Sequence, residues 1–394
     1  MIVQINTCYG IGSTGRIMKA IGEEAKKDGY EIMSICSRKE ESNSPVYYLQ
    51  NNTEYKINNL LSRLFCMEGM TSRRNTKKLV KFLEQQDIEL IHLHNIHGHY
   101  LNSKVLFDYI KEKKIPVVWT LHDEWAMTGR CACTYGCEKW MNGCEVCSNL
   151  STYPSSFFDK TYKMFGRKKE WFTNVKNLTI VTPSRWLAEK VSKSYLSCYR
   201  RKVINNGINL EVFKPQSSGI REKYGIRSKY VILGIAYSWG EMKGLDVFLE
   251  LDRRLSEDYK IILVGTDTEL DKKLPNSIIS IHRTHSQEEL VEIYSAADVF
   301  VNPTRQDTFP TTNIEALACG IPVVSFNVGG SPEIFNEKTG IVVEGDDVEG
   351  LENAIKRVCT EKLFSPNACV ERAKIFNQDD KFREYVELYN EVLR

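Results

Sequence analysis

Short apolar, β-branched runs alternate with amphipathic stretches along the whole chain. In the first half the runs IVQIN, EIMSIC, ELIHLH, PVVWTLH and LTIVTP predict strands. Between them, apolar residues recur at three- and four-residue spacing around residues 16–28, 73–86, 102–113, 160–173 and 185–195, which predicts helices. The second half repeats the plan. Its strands are YVILGIAY, KIILVG, IISIH, VFVNP and PVVSF, and its helices lie near 243–256, 286–296, 311–319, 347–359 and 366–377. The last stretch, DKFREYVELYNEVLR, is helical by pattern and is expected to cross back onto the first domain. Strands alternating with helices imply parallel sheets covered on both faces.

At 394 residues the chain is too long for one ordinary core. The expectation is therefore two doubly wound, Rossmann-like α/β domains, although alternation alone does not exclude a barrel. The turn-rich stretch NNGINLEVFKPQSSG marks the switch. The division expected is 1–198, then 199–375, then a terminal helix over 376–394. Open α/β sheets bind ligands beyond the C-terminal ends of their strands, so the two domains are expected to face each other across a cleft.

Composition narrows the class. With 42% apolar and 26% charged residues the chain reads as soluble and globular, and a net charge of +2 gives no bulk attraction to nucleic acid. No apolar run is long enough to cross a bilayer, and the first residues lack a signal-peptide pattern, so a cytoplasmic protein is expected. The basic stretch SYLSCYRRK (194–202) leaves peripheral contact with the inner membrane face open. Twelve cysteines in that compartment point to reduced thiols or a metal site rather than disulfides.

The sharpest signal is RQDTFPTTNIEALACGIPVVSFNVGGSPEIF, residues 305–335. Pro310 suits the start of a helix and Gly320 its end. The first turn, at Thr311, Thr312 and Asn313, presents backbone N–H groups that have no carbonyl in the helix, a site suited to a diphosphate. Glu315, one turn on, is suited to accepting hydrogen bonds from the paired hydroxyls of a ribose. Asp307 lies seven residues before Glu315, in the loop leading to the helix.

Near the N-terminus, CYGIGSTGR places Gly10, Gly12 and Gly15 at G-x-G-x-x-G spacing after a strand. A dinucleotide fingerprint would require a carboxylate at the end of the second strand, where Ser37 and Arg38 stand instead. Arg38 keeps NADP open, and with it the alternative of an oxidoreductase or epimerase. Five of the seven histidines fall in ELIHLHNIHGHYLN and VVWTLHDEW. Alternation puts His92 and His94 on one strand face, while His97 and His99 lie in the loop beyond. His122 falls at the functional, C-terminal end of its strand. In GRCACTYGCEKWMNGCEVCSNLSTYP, Cys144 and Cys147 form a C-x-x-C pair that Cys131 and Cys137 can complete to four thiolates. A structural zinc would hold together a loop too small for its own core, with Cys133 as the surplus thiol or a substitute for Cys131.

As a set, these motifs resemble family 4 glycosyltransferases, enzymes of GT-B fold that use nucleotide sugars. The 305–335 segment is similar to the E-x7-E region of that family, with Asp307 in place of the first Glu and Glu315 matching the second, which in the family binds the ribose. INNGINLEVFKP and TPSRWLAEKV also resemble family segments. YSWGEMKGLDVFLEL resembles the donor-phosphate loop. Lys243 matches its lysine, and Ser238 stands where an arginine is usual, so Arg16 and Arg305 become candidates for the missing charge.

GSTGR resembles the family's cleft-facing glycine loop, which implies substrate contact by Gly12, Ser13, Gly15 and Arg16. The "T.HD" motif implies that His122 lies near the transferred sugar, with His97 as a second choice and Asp123 orienting His122 or contacting the acceptor. The cysteine order resembles an exopolysaccharide, colanic-acid-type branch. The resemblance implies transfer of a hexose with retention to a hydroxyl of a saccharide, lipid-linked by expectation, in capsule, exopolysaccharide or O-antigen synthesis. His122, Asp307 and Lys243 are the expected catalytic residues, and no catalytic metal is expected. A non-catalytic protein that binds nucleotide sugars is the remaining alternative.

Overall fold

The computed structural model describes residues 1–38 and 46–394. The chain forms two compact units. Unit 1 is Met1–Asn205 together with Asp379–Arg394, and unit 2 is Asn206–Gln378.

Unit 1 is built on seven parallel strands: β1 (Ile2–Ile5), β2 (Ile32–Cys36), β3 (Val46–Tyr48), β4 (Leu90–Leu93), β5 (Val117–Thr120), β6 (Leu178–Thr182) and β7 (Arg200–Val203). Their order is β3-β2-β1-β4-β5-β6-β7. The central strands are buried on both faces, which is why they read as mostly apolar runs rather than alternating ones. On one face Val3, Ile5, Ile91, Leu93 and Trp119 pack among the helices of a large core. On the other, Ile2, Leu90, Val118 and Val181 meet Ile17 and Ile21 of the Gly12–Lys27 helix, and Phe382, Tyr385, Val386 and Tyr389 of the Gln378–Leu393 helix. The terminal helix is therefore part of unit 1, where it covers one face of the sheet.

β7 carries the basic stretch that the composition analysis linked to a membrane. As a strand it pairs with β6 in parallel register, Thr179 opposite Arg200. Arg200 forms an ion pair with Glu391 at 2.6 Å, and Arg201 donates to the carbonyls of Ser197 and Tyr199. Much of its charge is thus answered within the unit.

Unit 2 has six parallel strands: β8 (Tyr230–Ile235), β9 (Tyr259–Thr266), β10 (Ile279–His282), β11 (Val299–Asn302), β12 (Val323–Phe326) and β13 (Gly340–Val343), in the order β10-β9-β8-β11-β12-β13. Alternate residues of β8 serve its two faces. Val231 and Leu233 enter one core with Ile314 and Leu317, and Ile232 enters the other with Phe248 and Ile355.

Candidate active site

In unit 2 the strand order reverses between β8 and β11, the point at which an open parallel sheet forms its crevice. Lys243 follows β8, and the loop 303–310 follows β11. That loop runs into the helix Thr311–Ala318, whose N-cap is Pro310. No side chain caps the helix, and its first turn holds no acidic residue. Thr311 and Thr312 are partly exposed, and their N–H groups have no carbonyl within the helix to bond. An anion is the complement of such an end.

Asn313, grouped with them from the sequence, is fully buried. Its Oδ1 accepts from Asn302 Nδ2 at 2.7 Å, and its Nδ2 lies 3.5 Å from Ser331 Oγ. A buried amide needs partners inside the protein, so this side chain ties the helix to β11. Glu315 is only 4% exposed. Tyr294 from the Gln287–Ser295 helix donates its hydroxyl to Glu315 Oε2 at 3.0 Å, and that hydroxyl also lies 3.2 Å from the Thr312 carbonyl. One tyrosine thus fixes both the acid and the turn above it. Sequence reasoning missed Tyr294, which reads as an ordinary apolar helix residue.

Lys243 Nζ forms an ion pair with Asp307 Oδ2 at 2.8 Å, and Asp307 Oδ1 accepts from the Phe309 N–H at 3.3 Å. The Asp307 loop is packed tightly against Gly329. A Cβ there would sit 1.7 Å from the Asp307 carbonyl oxygen, and its φ of +61° is one only glycine holds readily. Arg305 does not provide the missing phosphate cation. Its guanidinium holds both oxygens of Asp246 at 2.8 and 2.6 Å and Asp346 at 2.7 Å, so its charge is already neutralised. Beside Ser238, Tyr237 is 78% exposed, with the Arg283 guanidinium 4.6 Å from its ring centre.

In unit 1 the order reverses between β1 and β4. The glycine loop follows β1, the histidine loop follows β4, and His122 follows β5. The loop closes by a bond from the Gly10 N–H to the Gly15 carbonyl at 2.9 Å, and a Cβ on Gly15 would press on Cys8 Sγ at 3.0 Å. The helix that follows, Gly12–Lys27, has no side-chain cap and no acid in its first turn, and Ser13 and Arg16 are exposed on it.

His97 Nε2 pairs with Asp123 Oδ2 at 2.6 Å, and its Nδ1 lies 3.3 Å from the Tyr153 hydroxyl. Asp123 thus orients His97. His122 is oriented by His94, whose Nδ1 is 3.0 Å from His122 Nε2. The rings of His92 and His94 lie 4.1 Å apart, and His92 bonds Tyr389 OH at 2.6 Å and Thr120 Oγ1 at 2.8 Å. The terminal helix is thereby joined through polar contacts to the histidines at the strand ends. Alternation in ELIHLH placed His92 and His94 on one face, but nothing in the spacing named their partners.

Burial, reinforced by neighbouring imidazoles, pushes His92 down to about 3 and His94 well below the usual histidine range. Burial likewise holds His122 near 4, despite the Asp123 carboxylate pulling upward. All three are neutral in the folded protein at pH 7. On unfolding each regains an ordinary value near 6.5 and takes up a proton below it. Their stabilisation is therefore complete above pH 6.5 and is lost as pH falls toward 4. His97 runs the other way. Burial lowers it, but the Asp123 charge and hydrogen bond outweigh burial, and the stability it adds is lost as pH rises through its raised value. Stability is expected to fall steeply between pH 6.5 and 4.5, by about 1.4 kcal/mol per pH unit for each neutral histidine, and Tm with it. His92→Gln should make that slope shallower by about a third of its proton uptake. A flat Tm over this range by scanning calorimetry would contradict the three neutral imidazoles.

The four cysteines expected to bind zinc are not gathered for it. Among the described residues no group of three or more His, Cys, Asp or Glu is placed to hold a metal. Cys144 Sγ accepts from the Gly129 N–H at 3.2 Å, Cys147 Sγ faces the Arg130 guanidinium at 3.8 Å, and Cys137 is exposed. Burial pushes the Cys131 thiol up to about 11, so it is a neutral thiol. What fastens the segment is Arg130. Buried to 2% exposure, it donates to the carbonyls of Asn149, Thr152 and Pro154 and to the Thr152 hydroxyl. The staple is a guanidinium on backbone carbonyls, which composition and spacing did not suggest.

The sequence model of Glycosyltransferase Family 4 matches residues 14–212, and that of Glycosyl transferases group 1 matches residues 229–361. The chain is a family 4 glycosyltransferase. It is 24% identical over 315 residues to a protein named for colanic acid biosynthesis, glycosyl transferase WcaC of Escherichia coli K12, a match covering 77% of this chain and 76% of WcaC. Among solved structures, sucrose-phosphate synthase of Thermosynechococcus elongatus superposes with a TM-score of 0.73 at 18% identity, over 99% of this chain and 98% of that one. Anabaena Alr3699/HepE, solved with UDP-glucose, gives 0.70 at 14% identity over 99% of each. These likenesses establish the GT-B fold. For a glycosyltransferase the opening glycine loop has no need of NADP, and the oxidoreductase alternative is set aside. Among the described residues no helix is long and apolar enough to cross a membrane.

Proposed function

We propose that this glycosyltransferase moves a hexose from a nucleotide-diphosphate sugar to a hydroxyl of a lipid-linked saccharide, with retention, in the assembly of a capsule, exopolysaccharide or O-antigen. The observation that carries this reading is the uncapped helix end at Thr311 and Thr312, one turn above the buried Glu315 and at the same sheet edge as Lys243. A leaving diphosphate gathers negative charge as the glycosidic bond breaks. Oriented N–H groups and one ammonium stabilise that charge without having to reorganise. Lys243 pairs with Asp307. A diphosphate carries more charge than one carboxylate and draws the ammonium to itself.

Glu315, held by Tyr294, takes the ribose hydroxyls and so fixes where the bond to be broken lies. His122, neutral and aligned by His94, donates or accepts a hydrogen bond at the sugar hydroxyls rather than supplying a positive charge. Asp123 and His97 serve the acceptor. No protein nucleophile is assigned: the acceptor attacks on the face the diphosphate leaves, and its proton passes to the departing phosphate oxygen. The localisation that goes with this role is the cytoplasmic face of the membrane.

The test is release of nucleoside diphosphate from a panel of UDP- and GDP-sugars, with and without lipid-linked saccharides. One donor is expected to raise Tm and to turn over faster with acceptor. Binding of a donor with no release across the panel would instead favour a non-catalytic binding protein.

A further inference from the structure

The helix Asn52–Phe65 was not anticipated from the sequence, and its outward face is unusual for a protein surface. Ile57, Leu60 and Phe65 on it are 42–55% exposed. Beside them, Phe157, Phe158 and Tyr162 are 58–67% exposed. The two groups adjoin. The Phe157 N–H donates to the Arg63 carbonyl at 2.7 Å, the Arg63 guanidinium lies 5.4 Å from the Phe157 ring centre, and the Lys160 ammonium lies 5.2 Å from that of Phe65. Soluble proteins seldom leave so many large apolar side chains together in water unless something covers them.

The charge around this surface identifies what does. The next helix, Arg73–Leu83, carries five exposed cations and no acid. It is tied to the start of the first helix by a hydrogen bond between Asn75 and Glu54. Glu54 is engaged in the capping box with Asn51, and Asp159 accepts from the N–H groups of Cys147 and Thr161, so the acids nearby are answered internally. Aromatic and aliphatic side chains ringed by lysine and arginine match the boundary between headgroups and acyl chains in an anionic bilayer.

We propose that unit 1 docks on an anionic membrane surface through this face, with the apolar side chains in the headgroup layer and the Arg73–Leu83 cations on lipid phosphates. The same helix carries Tyr55, whose ring lies 5.9 Å from that of His99, two residues from His97. The helix that bears the surface therefore also packs on the loop that holds the residues assigned to the acceptor, and docking would bring that loop close to a lipid-anchored saccharide. That last step rests on the lipid-linked acceptor proposed above, whereas the docking does not.

The test is co-sedimentation of the intact enzyme with phosphatidylcholine vesicles, with or without about a third phosphatidylglycerol. The enzyme should pellet with the anionic vesicles and be released by high salt. Leu60→Ser with Phe158→Ser, and separately Lys77→Glu with Lys78→Glu, should each weaken partitioning about tenfold or more while leaving Tm unchanged. The proposal is overturned if the wild type ignores anionic vesicles, if it binds neutral ones equally, or if both double variants bind like the wild type. It is overturned too if Leu60→Ser abolishes a concentration-dependent dimer in sedimentation velocity while vesicle binding is nil, since the face would then join two copies. Donor cleavage is read separately, so failure of the docking and failure of the transferase reading are distinguishable.

Discussion

Glu315→Gln is expected to leave the enzyme folded and nearly unable to use its donor. The amide oxygen still accepts from Tyr294, so the buried hydroxyl keeps its partner and Tm should move by no more than about 3 °C. What is lost is the negative charge offered to the ribose hydroxyls. Hydrogen bonds to a charged group are each worth about 1.5–3 kcal/mol, so kcat/KM for the nucleotide sugar should fall by about a hundredfold. Glu315→Ala is the less informative variant, because it removes one acceptor of the buried Tyr294 hydroxyl and opens a cavity in the core. Near-normal transfer by Glu315→Gln, measured as diphosphate release, would remove the ribose assignment and with it the main support for unit 2 as the donor side.

Lys243→Gln should be the more damaging change for chemistry and the milder one for stability. Its pair with Asp307 is partly exposed, and such pairs contribute at most about 1 kcal/mol. In catalysis the ammonium faces charge that grows as the bond breaks, and losing such a donor costs about 100- to 1,000-fold in kcat. The substitution also leaves Asp307 without its cation next to the incoming phosphates, which should raise KM for the donor as well. Lys243→Arg keeps the charge and should recover at least about a tenth of the activity. A kcat unaltered in Lys243→Gln would mean that the helix end alone suffices for the leaving group.

The readable and unreadable parts of this fold differ in where their partners lie. Central strands such as β1, β5 and β12 are buried on both sides, and burial writes itself into the sequence as a mostly apolar run. All of β3, β7 and β13 stand at sheet edges; β7 escaped notice because its exposed residues, RRKV, carry no apolar run, and β3 and β13 because VYY and GIVV are short. The Asn52–Phe65 helix escaped because its apolar residues face outward rather than into a core. Its capping box, Asn51 with Glu54, was the signal that was there to find.

From the sequence alone came the alternating plan, the fold class, the family resemblance, and the helix start at Thr311 with Lys243, Asp307 and Glu315 around it. The plan, the fold class and the helix start follow from local periodicity and turn chemistry, and Lys243, Asp307 and Glu315 from the resemblance of their segments to family motifs, all short-range properties. Only the tertiary structure decided that Asn313 faces inward, that Arg305 is neutralised by Asp246 and Asp346, that His94 stands against His122, and that Arg130 holds the cysteine segment through its backbone carbonyls. Each of these depends on which distant side chain or carbonyl occupies the next few ångströms, and spacing along a chain does not encode that.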